Sequence, residues 1–307
     1  MIIINKFRKL FFTIRYRWTL LEFFWVILKF FDLFRLFSDE NFRKRVNKCF
    51  VKRWTRIEYK QKIYDFDGIY IPFIDDQKYI YALKQCFDDV FIIHCFFDGN
   101  YSKKIVEYVD LFTPEGPYCY TDGDFDVTIK ATDIVIDAGA WIGDFSAYAA
   151  TIGARVFAFE PEAKNYELLC KTERTNIDRG IFPQNKALSN VNGKQKIYLS
   201  GNLSHSTTVD KSAETEEVET ITIDSFVKAQ NLKRVDFIKA DIEGDERKML
   251  EGARETLKTF APKLAICTYH HPDDREVLTK IILEANPNYT IKYLRHKLFA
   301  AVVKNRN

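Results

Sequence analysis

The spacing of hydrophobic residues predicts an α/β fold over the C-terminal part of the chain. From Asp133 onward, short apolar runs rich in β-branched residues alternate with stretches of helical periodicity. This alternation is typical of crossover units, in which a helix joins two parallel strands. The last two apolar runs, residues 289–294 and 298–304, are predicted to be antiparallel strands around a turn at 295–297.

The N-terminal segment has a different pattern. Residues 20–37 have the periodicity of an amphipathic helix with a wide face of Leu, Ile and Phe. Its uncharged run, residues 23–28, is far shorter than the ~20 apolar residues of a membrane span, and a cleaved signal peptide fits equally badly. Two roles stay open for the apolar face: it packs on the rest of the protein, or it lies in a membrane interface.

Between this helix and the α/β part, the pattern predicts a smaller helical and β extension. Residues 38–60 are basic with helical periodicity, and residues 79–90 and 102–112 are also predicted to be helical. Two hairpins are predicted at Asp-Gly turns, over residues 63–74 and 117–130. The predicted domains are therefore residues 1–37, 38–116 and 117–307.

Charge is distributed unevenly along the chain. Residues 1–60 carry 15 Lys or Arg against 5 Asp or Glu, whereas the whole protein has a net charge of only +3. This basic head favours an anionic surface, which is either phospholipid or nucleic acid. Since no nucleic-acid-binding motif accompanies it, we expect an anionic membrane surface as the partner of residues 1–37 and no nucleic acid.

Composition narrows the class of protein further. Hydrophobic residues make up 47% of the chain, which excludes a disordered protein. The 6 cysteines lack the spacing of a disulfide framework or a zinc cluster, which indicates reduced thiols in a cytoplasm. We therefore expect a cytoplasmic protein, docked peripherally on the inner membrane face if the N-terminal helix is interfacial.

The strongest local signal is DIVIDAGAWIG, residues 133–143. An apolar strand ends at Asp137, and a tight turn with Gly139 and Gly143 opens a helix. Glycines at such a turn let the backbone approach a bound nucleoside closely, because a Cβ atom would occupy the space. A second strand ends before Glu160, 21 residues after Gly139, where a carboxylate accepts hydrogen bonds from ribose hydroxyls.

These two signals admit two classes of nucleoside cofactor. A dinucleotide needs glycines in GxGxxG spacing around its pyrophosphate, but Trp141 stands where the second close glycine should be. Asp137 would also repel a pyrophosphate, whereas it suits the ammonium group of S-adenosylmethionine. A nicotinamide-dependent oxidoreductase is therefore the disfavoured alternative, and S-adenosylmethionine is the expected cofactor.

Five sequence blocks occur in this order: DIVIDAGAWIGDFSAYAA, FAFEPEAKNYELL, NKALSN, ETITIDSF and DFIKADIEGDERKMLEGA. Together they resemble the FkbM-type family of S-adenosylmethionine-dependent methyltransferases, over about residues 117–307. The resemblance implies a class I methyltransferase fold, which is a Rossmann-like, mostly parallel α/β sheet with a C-terminal antiparallel hairpin. It also implies methyl transfer to a hydroxyl of a sugar or natural product.

The resemblance assigns the cofactor-binding positions residue by residue. Asp137, Gly139 and Gly143 match the nucleoside-binding turn, and Glu160 matches the ribose carboxylate. The other expected cofactor residues are Asn165, Asn185, Ala187 and Asp241. Asn165 has an equally good alternative role, which is a hydrogen bond to backbone at the start of its helix.

Candidates for a general base follow the fourth and fifth predicted strands, residues 236–240 and 263–268. A sugar hydroxyl is a poor nucleophile, so a base within hydrogen-bond reach is expected. An imidazole has an ordinary pKa near 6.5, which suits this task better than the pKa of a carboxylate. We therefore rank His270 first, Asp241 second and His271 third, although either histidine alone is more commonly structural.

The sequence thus predicts an S-adenosylmethionine-dependent O-methyltransferase of a carbohydrate, glycolipid or related hydroxyl. The alternative from another class is a membrane-associated binding module that keeps the fold without catalysis. The intact Asp137, Glu160 and Asp241 argue against that module. No metal site is predicted, although Asp241, Glu243 and His270 have side chains of ligand type.

Overall fold

The computed structural model describes residues 63–66, 69–72, 118–199, 206–207, 215–294 and 296–303. All of them belong to one compact unit, Thr55–Asn307. Outside the described ranges lie the predicted helices over residues 20–37, 38–60, 79–90 and 102–112. Of the helices within those ranges, none is long and apolar enough to cross a bilayer.

The strands and helices are numbered in chain order. The strands are β1 (Ile63–Phe66), β2 (Ile69–Pro72), β3 (Tyr120–Asp122), β4 (Phe125–Val127), β5 (Ile134–Ala138), β6 (Arg155–Phe159), β7 (Ile181–Gln184), β8 (Ala187–Leu188), β9 (Gly193–Leu199), β10 (Ser206–Thr207), β11 (Thr215–Ile221), β12 (Phe237–Ala240), β13 (Lys263–Cys267), β14 (Tyr289–Leu294) and β15 (Lys297–Val302). The helices are α1 (Asp144–Ile152), α2 (Ala163–Thr175), α3 (Ile223–Ala229), α4 (Glu246–Glu251), α5 (Arg254–Phe260) and α6 (Asp274–Ala285).

Seven strands form the main sheet, in the order β14-β15-β13-β12-β5-β6-β7. The five strands from β13 to β7 run parallel to their neighbours, whereas β15 is antiparallel to both β13 and β14. This confirms the predicted Rossmann-like sheet with a C-terminal antiparallel hairpin. Strand β14 has its predicted bounds, while β15 begins at Lys297, one residue earlier than predicted.

The central strands are buried on both faces, which explains their continuous apolar sequences. Successive side chains of a strand point to opposite faces of a sheet. Accordingly, Phe237 and Ile238 of β12 belong to two different core clusters, and so do Val135 and Ile136 of β5. Each cluster includes residues of the helices that cover its side of the sheet.

Both predicted hairpins are confirmed. Strands β1 and β2 pair antiparallel, and so do β3 and β4. The first hairpin packs on the α/β unit, because Ile71 is fully buried in the main core and the Asn176 amide donates a hydrogen bond of 2.6 Å to the Tyr70 carbonyl. The predicted domain boundaries after residues 37 and 116 stay predictions.

A smaller sheet, in the order β10-β9-β11-β8, follows the third parallel strand and is not predicted from the sequence. Strand β11 pairs antiparallel with β9 and parallel with β8. Its buried Val218 alternates with the exposed Glu217 and Glu219, so only one face of this strand is apolar. The ETITIDSF block runs from β11 straight into α3, whose first turn is capped by the Thr222 hydroxyl.

Candidate active site

A cavity opens at the carboxyl ends of β5, β6 and β12, which is the edge where open α/β sheets bind their ligands. Its volume is about 620 Å³, including the part open to solvent. The residues that line it include five of the predicted cofactor-binding residues: Gly139, Glu160, Asn165, Ala187 and Asp241.

Gly139 is required by a close approach between two loops. Its φ is 73°, and a Cβ atom built there would lie only 1.9 Å from the carbonyl oxygen of Asp241. Gly143 has a φ of 88° and caps α1, where a Cβ atom would lie 2.7 Å from Cδ1 of Leu169. The second glycine therefore lets α1 and α2 pack together and does not line the cavity, unlike the expected contact with a nucleoside.

Glu160 is held rigidly at the end of β6. Its Oε2 accepts a hydrogen bond of 2.9 Å from the backbone N–H of Trp141, and its Oε1 accepts one of 3.0 Å from the N–H of Glu162. Burial raises the pKa of Glu160 to about 8, although both amide hydrogen bonds favour the ionised form. The carboxyl group lines the cavity.

The two predicted asparagines have different surroundings. Asn165 is buried, lines the cavity and donates a hydrogen bond of 3.0 Å to Oε2 of Glu162. Asn185 is exposed, and its amide donates to the carbonyl oxygens of Glu160 and Pro161 at 3.0 Å each. Asn185 therefore fixes the turn after β6 and does not itself line the cavity.

Asp137 is paired with a cation of the protein itself. It is fully buried, and its Oδ1 lies 3.1 Å from Nζ of Lys239, while its Oδ2 accepts a hydrogen bond of 2.6 Å from Ser146. Burial disfavours a charged lysine, but the nearby carboxylates of Asp137 and Asp241 outweigh this and raise the pKa of Lys239. The expected contact between Asp137 and a ligand ammonium is thus replaced by an internal ion pair.

Asp241 is held by two tyrosine hydroxyls. Tyr118 donates to its Oδ2 at 2.8 Å, and Tyr269 donates to its Oδ1 at 3.0 Å. Burial disfavours its charge, but the charges of Lys239 and His270 and the Tyr118 hydrogen bond lower the pKa of Asp241. A carboxylate with a lowered pKa is a weak base, so this geometry favours an orienting role for Asp241.

His270 lies among three carboxylates. Its Nε2 is 3.3 Å from Glu243 and 3.7 Å from Asp241, and its Nδ1 is 3.1 Å from Glu246. Burial disfavours the charged ring, but these carboxylates outweigh burial and raise the pKa of His270 to about 10. The ring is therefore protonated at neutral pH in this structure, which corrects our expectation of a half-deprotonated imidazole.

His271 makes contacts with other groups. Its backbone N–H donates to Asp274 at 2.7 Å, and its Nε2 lies 3.1 Å from the carbonyl oxygen of Gly244. Neither His271 nor His270 is among the residues that line the cavity, although Asp241 and Glu243, which lie beside His270, do line it. Both contacts of His271 fit a structural role, which the sequence allows for either histidine.

Acidic side chains dominate the lining of the cavity. Its four carboxyl groups are those of Glu160, Asp241, Glu243 and Asp245, of which that of Glu160 is mostly protonated at neutral pH, whereas Lys186 is its one basic residue among those described. Lys186 is itself paired with Glu219 of β11. The electrostatics of the cavity therefore favour a ligand with positive charge.

Several residues around the cavity were not identified from the sequence: Tyr118, Lys186, Gln195, Ile197, Lys239, Glu246 and Tyr269. Lys239 has the clearest sequence signal, because a lysine within the apolar strand DFIKA needs a buried partner. The two tyrosines have no such signal, since their partner Asp241 lies 123 and 28 residues away along the chain.

A model of the methyltransferase FkbM domain matches residues 137–299, which is more than half of the chain. Among curated proteins, the chain is similar to the hexuronic acid methyltransferase AglP of Haloferax volcanii, with 27% identity over 157 residues. This alignment covers 50% of the chain and 62% of that protein. The chain therefore aligns with about three fifths of the length of this relative.

Solved structures of low sequence identity are also similar. A methyltransferase FkbM from Methylobacillus flagellatus matches with 20% identity and a TM-score of 0.47, over 73% of this chain and 58% of that chain. Fibrillarin of Aeropyrum pernix, solved with bound S-adenosyl-L-methionine, matches with 14% identity and a TM-score of 0.36. That match covers 58% of this chain and 70% of the fibrillarin chain.

Proposed function

The chain belongs to the methyltransferase FkbM domain family, and we propose that it is an S-adenosylmethionine-dependent O-methyltransferase of a sugar hydroxyl. The observation that carries the proposal is the carboxyl group of Glu160, fixed by two backbone amides in a cavity at the carboxyl edge of the sheet. The name of the Haloferax relative, a hexuronic acid methyltransferase, supports a carbohydrate or glycolipid as acceptor.

The hydrogen-bonding groups and the charge of the cavity suit this cofactor. Glu160 offers the acceptor oxygens for the ribose hydroxyls, and Asn165 and Ala187 lie in the same lining. The excess of carboxylates suits a cofactor that carries an ammonium and a sulfonium group. A pyrophosphate is disfavoured in the same place, because the acids would repel it and the Trp141 side chain lies beside the turn.

S-adenosylmethionine supplies an activated methyl group: one C–S bond breaks, one C–O bond forms, and S-adenosylhomocysteine and the hydroxyl proton are released. The chain must therefore align the acceptor oxygen and receive or direct its proton. Among the three predicted base candidates, Asp241 lines the cavity and His270 lies 3.7 Å from it, while His271 contacts the carbonyl oxygen of Gly244. We assign the acceptor end of the cavity to Asp241 and its neighbour His270, whose ring, protonated at neutral pH in this structure, does not take up the hydroxyl proton directly.

The cofactor assignment is tested by calorimetric titration of the full-length protein with S-adenosylmethionine and, separately, with NAD. We expect one S-adenosylmethionine to bind per chain and NAD to bind far more weakly. Tighter binding of NAD would overturn the proposal in favour of an oxidoreductase. The variant Glu160→Gln tests the role of the cavity carboxyl group. Its control is Glu167→Gln, which changes an exposed carboxylate of α2 outside the cavity.

The acceptor class is tested by untargeted mass spectrometry of glycans and lipids from cells with and without the protein. We expect a carbohydrate or glycolipid species to lose an increment of about 14 Da, the mass of one CH2, when the protein is absent. Binding of S-adenosylmethionine without transfer to any extract would instead favour the binding module. A missing methyl group on a protein or nucleic acid would overturn the sugar acceptor.

A further inference from the structure

Three side chains that follow neighbouring strands meet beside the cavity, and two of them, Asp241 and Glu243, line it. Asp241 and Glu243 follow β12, and His270 follows β13, so all three come from the carboxyl edge of the main sheet. One ligand atom from each lies within 4.8 Å of the other two. Nε2 of His270 is 3.3 Å from Glu243 and 3.7 Å from Asp241.

His270 is buried and aimed into this cluster. Its side chain is only 8% exposed, and neither ring nitrogen is aligned for a hydrogen bond with any described residue. Buried polar atoms of proteins almost always have a partner. Nδ1 faces Glu246, but Nε2 faces two carboxylates without an aligned hydrogen bond to either, which calls for an explanation. An ion between Nε2 and the carboxylates of Asp241 and Glu243 provides one.

Glu246 fixes the other side of the imidazole. Its Oε1 lies 3.1 Å from Nδ1 of His270 and accepts a hydrogen bond of 2.9 Å from the N–H of Ile242. Its Oε2 accepts a hydrogen bond of 3.0 Å from the N–H of Gly244. A carboxylate on the outer nitrogen of a histidine is the common arrangement behind metal-bound imidazoles, because it orients the ring and increases its basicity.

We propose that Asp241, Glu243 and His270 bind a divalent first-row transition metal ion such as Mn²⁺. Neighbouring ligands of an octahedral ion lie roughly 3.0 to 3.4 Å apart when metal–ligand distances are about 2.1 to 2.4 Å. The observed separations of 3.3 and 3.7 Å are close to this edge length. One imidazole with two carboxylates suits Mn²⁺ or Zn²⁺ better than Ca²⁺, whose ligands are oxygen atoms.

The role of this ion in the reaction rests on the proposed function, whereas its binding does not. A metal ion lowers the pKa of an oxygen that it binds, so an acceptor hydroxyl on the ion would release its proton to water more easily. The positive charge would also offset the repulsion between this acidic cavity and an acidic sugar. Glu246 is then a positioning residue, because it acts on the ion only through His270.

Metal binding is tested with the full-length protein after treatment with EDTA and removal of the chelator. Calorimetry with MnCl2, ZnCl2, MgCl2 and CaCl2, together with electron paramagnetic resonance of Mn²⁺, reports binding without any acceptor. We expect one Mn²⁺ or Zn²⁺ per chain and weaker binding of Mg²⁺ and Ca²⁺. Tightest binding of Ca²⁺, or no binding of any of the four ions, would overturn the proposal.

Variants locate the ion. Loss of a residue that orients a metal ligand typically weakens metal binding 10- to 100-fold, and we expect Glu246→Gln to weaken Mn²⁺ binding by this amount. Glu243→Gln should weaken Mn²⁺ binding by more, because it removes a ligand. Glu217→Gln, on the exposed face of β11, is the matched control and should bind as the wild type does. Since Glu243 is partly exposed, its variant should keep the wild-type circular dichroism spectrum even if a His270 variant does not fold.

The two proposals fail separately. Unchanged Mn²⁺ affinity in Glu243→Gln would overturn the metal site and leave the cofactor titration untouched. Methyl transfer that continues at the full rate in EDTA would overturn the catalytic role of the ion and support the proposed function. Metal binding lost in Glu243→Gln supports the site, whatever the acceptor proves to be.

Discussion

Lys239 and Asp137 lie directly opposite each other on the adjacent strands β12 and β5, and their side chains form an ion pair of 3.1 Å inside the sheet. Nζ of Lys239 also donates hydrogen bonds to the carbonyl oxygens of Ala138 at 3.2 Å and Gly139 at 2.6 Å. One buried cation therefore lies beside the carboxylate at the end of β5 as its counter-charge and fixes the turn that follows it. The turn borders the cofactor cavity, so the ion pair connects core stability to the shape of the site.

This pair predicts that Lys239→Met destabilises the fold strongly. The substitution leaves the Asp137 carboxylate buried without its cation, and breaking a buried pair in this way typically costs about 3 to 5 kcal/mol. Chemical denaturation followed by circular dichroism measures the change in the free energy of unfolding. The double variant Lys239→Met with Asp137→Asn should recover part of the loss, because the buried charge is then removed.

The control for that prediction is an exposed ion pair. Lys194 of β9 lies 2.8 Å from Glu217 of β11, with both side chains more than half exposed. Lys194→Met should leave the denaturation midpoint unchanged, because solvent screens such pairs. Equal effects of Lys194→Met and Lys239→Met would mean that the buried pair contributes nothing special to the fold.

At a pH above 8, where the Glu160 carboxyl group is ionised, Glu160→Gln should weaken S-adenosylmethionine binding by about 1.5 to 3 kcal/mol, the usual range for lost hydrogen bonds to a charged group. The amide side chain keeps the shape of the carboxyl group but replaces one acceptor oxygen by a donor. Calorimetric titration of the wild type, Glu160→Gln and the exposed control Glu167→Gln measures the effect. Equal affinities in all three proteins would remove Glu160 from the cofactor site.

The raised pKa of Glu160, about 8, predicts a pH dependence of stability without cofactor. The carboxyl group of an unfolded chain ionises near pH 4.5, so the folded state holds one extra proton between pH 4.5 and 8. The stabilisation of the folded state by this extra proton is complete below pH 4.5 and is lost as the pH rises to 8. In this window Glu160 should lower the free energy of unfolding by about 1.4 kcal/mol for each pH unit.

Denaturation of the wild type and Glu160→Gln at several pH values between 5.5 and 8.5 isolates this contribution. The difference between the two proteins should change steadily with pH and level off above pH 8, where the folded carboxyl group has also ionised. A difference independent of pH would show that Glu160 ionises at the same pH in the folded and unfolded chain.

The sequence predicts the local elements well, because each depends on nearby residues. The run DIVIDAGAWIG predicts a strand, a turn and a helix start, and the structure has β5 followed by α1 from Asp144. The 21-residue spacing from Gly139 to Glu160 places the carboxyl group in the cavity for the same reason. Such periodicity and spacing reflect one crossover unit, whose geometry varies little between proteins.

What each side chain contacts depends on distant parts of the chain, and there the sequence is less informative. Asp137 was expected to contact a ligand, but its partner Lys239 comes from a strand 102 residues later. The pKa of His270 depends on Glu246 of α4, which no local pattern associates with the histidine. The second sheet is missed because strands such as β11, with one polar face, lack the continuous apolar run of a buried strand.

The basic head predicts salt-sensitive binding to anionic membranes. Replacing Lys6, Arg8 and Lys9 by Ser in the full-length protein should weaken binding to vesicles of anionic phospholipid, by about 1 kcal/mol for each residue. Added salt should weaken binding of the wild type, because it screens the basic charges. Vesicle sedimentation measures both effects.

Exposed lysines of the α/β unit provide the matched control for this experiment: Lys196, Lys228 and Lys258. Their replacement by Ser removes the same charge and should leave vesicle binding as in the wild type. Cofactor affinity should be unchanged in both triple variants. If the two triple variants weaken vesicle binding equally, the total charge of the protein causes its binding to the membrane. Residues 1–37 are then not a specific docking segment.

The two neighbouring histidines should differ sharply in their effect on catalysis. His270 contacts Asp241 and Glu243, which line the cavity, whereas His271 contacts the Gly244 carbonyl outside it. His270→Ala should lower kcat by about 100- to 10,000-fold, because it removes a ligand of the proposed ion that would acidify the acceptor hydroxyl, and it should leave S-adenosylmethionine affinity within a few-fold. His271→Ala should keep kcat within a few-fold of the wild type.

Initial rates of labelled methyl transfer into a glycolipid extract, taken from cells that lack the protein, measure this difference. His271→Ala is a stringent control, because it removes the same ring one position along the chain. Asp241→Asn should change both cofactor affinity and kcat, since Asp241 lines the cavity and also accepts the Tyr118 and Tyr269 hydroxyls. Near-normal kcat in His270→Ala would reject the assignment and leave alignment of the acceptor as the mechanism.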